Sequence, residues 1–86
     1  MLTIHKYSLP VNDEIVIPMR QGRILDVQVQ NGIPCMWALV DDEKPVRNRK
    51  FRMFGTGHPV TDSVRNFIGT FQLPELGLVF HLFEVA

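Results

Sequence analysis

The chain has 86 residues, and its nine basic and nine acidic side chains give a formal net charge of zero. This length corresponds to one domain with a thin core, and the lack of a basic excess argues against nucleic acid as the main partner. A single cysteine, Cys35, excludes an internal disulfide and a zinc site built from cysteines. The N-terminus lacks a signal-peptide pattern, and no apolar stretch approaches the roughly 20 residues of a membrane helix, so the cytoplasm is the expected compartment.

Strand signals alternate with turn signals along the chain, at a spacing of roughly 8–12 residues. The short β-branched run Ile15–Ile17 meets Pro18, which favours a position at a sheet edge. At most one short helical turn is expected, over residues 60–66, with Thr61 or Asp62 as its N-cap. The predicted strands are residues 3–9, 15–17, 23–30, 33–40, 46–54, 67–73 and 78–85. About seven strands within a single domain, residues 1–86, predict an all-β fold, a small antiparallel sandwich or barrel.

The clearest local signal is Asn31-Gly32 between two β runs, because a type I′ hairpin turn needs positive φ at both central residues. Directly opposed residues of such a hairpin share a face of the sheet. The predicted pairs are Gln30 with Ile33, Gln28 with Cys35, Asp26 with Trp37 and Ile24 with Leu39. The predicted core face carries Leu25, Val27, Val29, Pro34, Met36 and Ala38, and the opposite face mixes Asp26, Gln28 and Gln30 with Cys35, Trp37 and Leu39.

A second hairpin is predicted around the four-residue loop Pro74–Gly77. The core-side pairs are Leu73 with Leu78, Phe71 with Phe80 and Gly69 with Leu82. The reverse-side pairs are Gln72 with Val79, Thr70 with His81 and Ile68 with Phe83. In this register His81 is expected to be a structural histidine that is hydrogen-bonded to the Thr70 hydroxyl.

Two segments are candidates for binding an anion. The loop Gly55-Thr56-Gly57-His58-Pro59 either forms a nest of backbone N–H groups with His58 as a further donor, or simply supplies the positive φ of a sharp turn. The basic run holds Lys44, Arg47, Arg49, Lys50 and Arg52, with Arg47 and Arg49 on one side of a strand and Lys50 and Arg52 on the other. It reads either as a charged edge strand or as a binding surface, and the preceding Asp41, Asp42 and Glu43 could neutralise much of its charge.

The remaining candidate residues are Trp37, Cys35 and the histidines. Trp37 is interpreted mainly as a core residue, with a stacking platform for a ligand or partner as the alternative. His5, His58 and His81 have no metal-ligand spacing, and Cys35 lies in an apolar run where a buried inert thiol is expected. No catalytic constellation is visible, so the chain is predicted not to be an enzyme; a small hydrolase using His58 or His81 is the weaker alternative.

Six phrases of the sequence carry a resemblance when they are taken in order. They are His5–Val11, Ile24–Gly32, Met36–Val40, Gly55–Pro59, Phe67–Thr70 and Val79–Glu84. Together they resemble a family of small bacteriophage and prophage proteins to which no activity is assigned. The resemblance spans nearly the whole chain and implies a phage accessory protein that acts in the bacterial cytoplasm. It carries over no functional residue.

The expected function is therefore non-enzymatic binding of a host macromolecule, by a homo-oligomer and without a cofactor, metal or membrane. The candidate binding residues are Arg47, Arg49, Arg52, Trp37, Gly55, Thr56, Gly57 and His58. An alternative is capture of an anionic nucleotide at a subunit interface, where the Gly55–His58 loop, Arg47, Arg49 and Trp37 would have to converge. A structural component of the virion is the second alternative.

Overall fold

The computed structural model describes residues 1–61 and 63–86, and almost all of them lie in strands or in the tight turns between strands. The strands are β1 (Leu2–Ser8), β2 (Glu14–Arg20), β3 (Gly22–Gln30), β4 (Ile33–Asp41), β5 (Val46–Gly55), β6 (Val64–Leu73) and β7 (Leu78–Val85). One 3-10 turn, Pro74–Leu76, lies between β6 and β7. The helical turn expected over residues 60–66 was wrongly placed, because β6 already begins at Val64; Asp62 lies outside the described residues.

The strands form two antiparallel sheets that pack face to face. Sheet A has the order β1-β4-β3, and sheet B has the order β2-β5-β7-β6. Each sheet turns its apolar side chains toward the other, so the core lies between them. The buried cluster contains Leu9, Ile15, Ile17, Met19, Val27, Met36, Ala38, Val40, Phe51, Met53, Phe71, Leu73 and Leu82. The predicted all-β antiparallel sandwich is confirmed.

The first hairpin is confirmed near its turn and shifts farther away. Asn31 and Gly32 both have positive φ, 53° and 77°. The pairs Gln30–Ile33, Gln28–Cys35 and Asp26–Trp37 are as predicted, but a bulge between Ile24 and Asp26 places Ile24 opposite Ala38. The extra residue reverses the alternation. The core position predicted for Leu25 is therefore wrong: Leu25 is 42% exposed, and Ile24 packs against the core instead.

The second hairpin behaves in the same way. Its five pairs nearest the turn, from Leu73–Leu78 to Gly69–Leu82, are confirmed, but Leu78, which was predicted on the core side, is 40% exposed. A bulge between Phe67 and Gly69 then places Phe67, rather than Ile68, opposite Phe83. The predicted pairing of Ile68 with Phe83 is wrong, since Ile68 packs against the core.

One lateral side of the sandwich is closed by the approach of β3 to β6. Gly69 makes this approach possible, because a Cβ atom there would lie 2.7 Å from Cγ1 of Val27. On the other side, β1 and β2 are the outer strands of their sheets. The edge position predicted from Pro18 is confirmed, although β2 continues through the proline to Arg20.

Candidate interaction surface

The basic strand lies inside a sheet and not at its edge. β5 pairs with β2 on one side and with β7 on the other, so the interpretation as a charged edge strand was wrong. The predicted alternation is confirmed: Arg47 and Arg49 share the inner side with buried Phe51, whereas Lys50 and Arg52 face outward. The basic residues are thus divided between two different environments.

Arg49 is engaged in a structural contact between the sheets. Its Nε and Nη2 atoms each donate to the Glu84 carboxylate at 2.7 Å, and its Nη1 donates to the Gly22 carbonyl at 2.8 Å. The two side chains are only 22% and 14% exposed. Hydrogen bonding to Arg49 holds the pKa of Glu84 below its usual range, and the same bond raises the pKa of Arg49. These contacts occupy the guanidinium and connect sheet B to the start of β3.

Arg47 remains exposed at the end of the same inner row. It borders a cleft of about 430 Å³ with Met19, Gln21 and Asn48, and its side chain makes no hydrogen bond or ion pair with the described residues.

The acidic side chains of the turn before β5 were expected to neutralise the basic strand, but they lie beside the N-terminal ammonium instead. The Met1 ammonium lies 2.9 Å from the Asp42 carboxylate, 3.5 Å from that of Asp41 and 3.7 Å from that of Glu43. Hydrogen bonding to Asp42 raises the pKa of this ammonium. Neutralisation of the arginines of β5 by this turn is therefore not observed.

The outward side of β5, β7 and β6 carries a row of aromatic rings. The Phe54 and Phe83 centroids are 5.8 Å apart, the Phe83 and Phe67 centroids are 5.3 Å apart, and Cζ of Arg52 lies 5.2 Å from the Phe54 centroid. We call these four residues the aromatic face. Phe54 is buried, whereas Phe67 on the outer strand β6 is 59% exposed. The row therefore runs from a buried ring to a ring in contact with water.

The glycine-rich loop is a tight turn at the far end of β5. The His58 N–H donates to the Gly55 carbonyl at 3.1 Å, and Gly57 has a φ of 86°. The interpretation as a sharp turn is confirmed for Gly57, which supplies the positive φ, but not for Gly55, whose φ is not positive. The Thr56 hydroxyl, next in the loop, lies 2.8 Å from Nε2 of His81.

His81 is held between two hydroxyl groups. Its Nδ1 lies 2.9 Å from the Thr70 hydroxyl, which confirms the predicted contact, and Thr56 occupies the other ring nitrogen. Among the described residues no carboxylate bonds to this ring. The arrangement lacks the acid that orients the base in a nucleophile–base–acid triad.

Trp37 lies on the outward face of sheet A, between Lys6 and Asp26. The interpretation as a core residue was wrong: the indole is half-buried and lies outside the hydrophobic cluster. Its polar neighbours bond among themselves, since Lys6 donates to Gln30 at 2.8 Å and Gln28 donates to Asp26 at 2.9 Å. The predicted polar face with Trp37 at its centre is confirmed as a geometric feature.

The residues proposed for a nucleotide site do not converge within one protomer. Arg47 and the Gly55–His58 loop lie at opposite ends of β5, about 26 Å apart along the strand. Trp37 points outward from the other sheet, and Arg49 is held by Glu84. The hypothesis required these elements to meet, and the fold separates them.

Across residues 1–61 and 63–86, no group of three or more His, Cys, Asp or Glu side chains is arranged to hold a metal ion. Within the same residues no helix has the length and apolarity to cross a membrane. Cys35 is buried, and its thiol donates to the Ile33 carbonyl at 3.4 Å.

Comparison with known families places the whole chain in one group. A family model described as a domain of unknown function, DUF7352, matches residues 1–86. The chain belongs to the DUF7352 family. Neither the curated proteins nor the solved structures contain a significant match. Membership in DUF7352 thus defines the chain's relatives without supplying an activity, a source or a functional residue.

Sequence reasoning missed most of the aromatic face and the partner of Arg49. The outward position of Phe83 was predicted, because alternation along β7 places it opposite in orientation to the core residue Leu82, but Phe83 was not a candidate binding residue. The outward position of Phe67 could not be predicted, because the bulge in β6 decides which residue faces Phe83. Glu84 lies 35 positions from Arg49, and no local pattern links them.

Proposed function

We propose that this chain is a non-enzymatic binding protein that uses the aromatic face to engage a protein with an acidic surface. The observation that carries the proposal is the 59% exposure of Phe67, in a ring contact with Phe83 on the outside of the sandwich. Aromatic and arginine side chains are the residue types that dominate binding energy at protein interfaces.

The stability of the fold does not require an exposed ring at Phe67. Its ring lies outside the core, so it contributes much less to stability than a buried phenylalanine does. Phe54 beneath the row is buried and packs against Phe83, which holds the aromatic face in one arrangement. A rigid apolar surface that does not have to be ordered on binding loses less entropy when a partner docks.

Charge around the aromatic face favours an acidic partner. Lys50 and Arg52 point outward from β5, while Glu14 of the neighbouring strand β2 lies opposite Arg52 with its carboxylate 3.5 Å away. Lys50 faces uncharged Val16. Lys50 is therefore an exposed basic group at this rim, whereas Arg52 is only 17% exposed and pairs with Glu14. Complementary charge at a rim raises the association rate and selects among partners.

A protein partner fits this surface better than a single-stranded nucleic acid. Base stacking needs several exposed ring faces along a groove. Here Phe54 is buried, and successive rings are inclined at 73° and 56°, so that Phe67 alone presents a largely open ring. One apolar anchor with a basic rim matches an interface hot spot.

We further propose the biological setting that the sequence resemblance implies. Six phrases in the order of a phage and prophage family support a phage accessory protein whose partner is a host protein in the bacterial cytoplasm. Detection of the chain in purified phage particles would instead support the alternative of a virion component.

The proposal is tested by affinity capture from bacterial lysate followed by mass spectrometry. The bait proteins are the wild type, Phe67→Ala, Lys50→Glu and the control Leu76→Ala. Leu76 is 64% exposed and lies in the 3-10 turn, away from the aromatic face. We expect a bacterial protein that the wild type and Leu76→Ala retain and that Phe67→Ala loses, with at least about tenfold weaker binding.

The charge component has its own readout. Lys50→Glu is expected to weaken capture at low salt and to reduce the salt dependence, because it reverses one charge of the rim. Partners that persist with Phe67→Ala and Lys50→Glu would contradict the assignment of the binding surface. Absence of any specific partner from the wild-type capture would contradict the proposed function.

A further inference from the structure

The strand β1 leaves a row of backbone groups free at the edge of sheet A. At its two ends, Leu9 N–H donates to the Pro34 carbonyl at 2.9 Å and Asp42 N–H donates to the Met1 carbonyl at 3.1 Å. In an antiparallel pair, hydrogen-bonded residues alternate with residues whose N–H and C=O point away. The odd-numbered residues of β1 therefore bond to β4, and the outward groups belong to Leu2, Ile4, Lys6 and Ser8.

The other outer strands are protected. On β2 the Asp13 carbonyl accepts from Met53 N–H at 3.1 Å, so even-numbered residues face the free side there. Pro18 is one of them and has no N–H to offer a further strand. β3 and β6 approach each other through Gly69 and Val27, so each restricts access to the other.

Within β1 the charge of Lys6 is the only such protection. The strand contains no proline, pairs with β4 without a register shift, and has Lys6 as its only Lys, Arg, Asp or Glu side chain. On its outward face Leu2 and Ile4 are 64% and 58% exposed, and Ile4 lies beside Leu39 of β4. An exposed, apolar and regular edge strand is a site of intermolecular strand pairing.

We propose that β1 pairs antiparallel with β1 of a second copy across a two-fold axis, which joins the two copies of sheet A into one continuous sheet. Residues that face each other across the axis must share a face, so even-numbered residues pair with even-numbered ones. The register that centres on Ile4 places Ile4 opposite its own counterpart and Leu2 opposite Lys6. It keeps the Lys6 ammonium groups apart and gives every outward N–H from Leu2 to Lys6 a carbonyl partner.

A second copy suits this edge because the pairing is self-complementary and closes. The alternation that turns the N–H groups of Leu2, Ile4 and Lys6 outward is the same in both copies, so their ladders match in phase. The two-fold contact uses the free edge of both chains, and the strands left outermost are the protected β2, β3 and β6. The aromatic face lies on sheet B, so the dimer leaves it open, and this inference does not depend on the proposed binding function.

Native mass spectrometry and light scattering over a micromolar concentration series test the pairing. We expect the wild type to have twice the 9.9 kDa mass of one chain. Ile4→Lys places two ammonium groups at the axis and is expected to raise the dimer dissociation constant at least about tenfold. The matched control is Val16→Lys on β2, since Val16 is 53% exposed and also faces a free edge; its dimer is expected to be unchanged.

Amide hydrogen exchange tests the pairing on the wild type, so the result does not depend on whether a variant folds. The amides of Ile4 and Lys6 are expected to gain protection as protein concentration rises, while the amide of Val16 stays unprotected at every concentration. A wild type that is monomeric over the whole series overturns the inference. So does a dimer that Ile4→Lys leaves intact, or one in which the Ile4 and Lys6 amides exchange without protection.

Discussion

Each side of β5 carries an arginine, and the two arginines make different contacts. On the inner side Arg49 is half-buried, held by Glu84 and Gly22, and joins the sheets. On the outer side Arg52, only three positions along, lies over the Phe54 ring as part of the aromatic face. Alternation along one strand places one arginine between the sheets and the other over an outward ring, although both side chains are largely covered, at 22% and 17% exposure; a count of basic residues does not reveal this.

The comparison also shows that the outward side has a layer of its own. Phe54 is 5% exposed although it faces away from the core between the sheets, because Phe83 and Arg52 cover it. Exposure on this side therefore depends on position along the aromatic row, and it increases toward Phe67 on the outer strand.

The largest expected change in stability comes from removing Phe54, the buried ring of the aromatic face. Phe54→Ala removes a buried ring and leaves a cavity under Phe83, so we expect a loss of about 3 kcal/mol in the free energy of unfolding. Phe67→Ala removes an exposed ring and is expected to lose less than about 1 kcal/mol. Urea unfolding at one fixed protein concentration compares the two variants. Equal losses in the free energy of unfolding would contradict the burial of the Phe54 ring.

The second-largest expected change in stability distinguishes the two inner arginines of β5, Arg49 and Arg47. Arg49→Ala removes the donors to Glu84 and Gly22 and leaves a half-buried carboxylate, so we expect a loss of about 2 kcal/mol. Arg47→Ala is the matched control on the same side of β5; because Arg47 is exposed, its loss should stay within about 0.5 kcal/mol. A loss for Arg49→Ala as small as that for Arg47→Ala would contradict the role of Arg49 between the sheets.

The smallest effect concerns pH. The folded-state pKa of Glu84 lies below its unfolded value, so the stability from this carboxylate is present above about pH 4.3 and is lost as pH falls through the folded pKa. We expect the stability difference between the wild type and Arg49→Ala to shrink between about pH 7 and about pH 3. A constant difference over that range would mean that the ion pair does not contribute.

Most of the fold was predictable because the signals are local. The Asn31-Gly32 turn and the Pro74–Gly77 loop fix the pairs beside them, and alternation carries the register outward. Each prediction fails at a bulge, near Leu25 and near Ile68, where the pairing shifts by one residue. Both bulges lie on β3 and β6, the strands that approach each other across the sheets; Gly69 adjoins the one near Ile68, and a glycine inside a strand is a general sign of a bulge or a close approach rather than a guide to register.

The candidate surface was less predictable for the same reason. The basic residues were visible in the sequence, and their alternation was correct, but the position of β5 inside sheet B was not. Trp37 was assigned to the core because a lone tryptophan in a small domain is usually buried, whereas the indole lies half-buried on the outward face of sheet A. Phe67 did not enter the candidate list at all because its outward position depends on the bulge beside it.

The strands, the two hairpin turns and the division of each strand into two sides follow from the sequence. These properties depend on backbone preferences and on contacts between close neighbours in the chain. The tertiary structure alone decided which strands are outermost, which arginine finds a carboxylate 35 residues away and which aromatic ring remains in water. These depend on how the two sheets pack, and that packing is set by distant residues together.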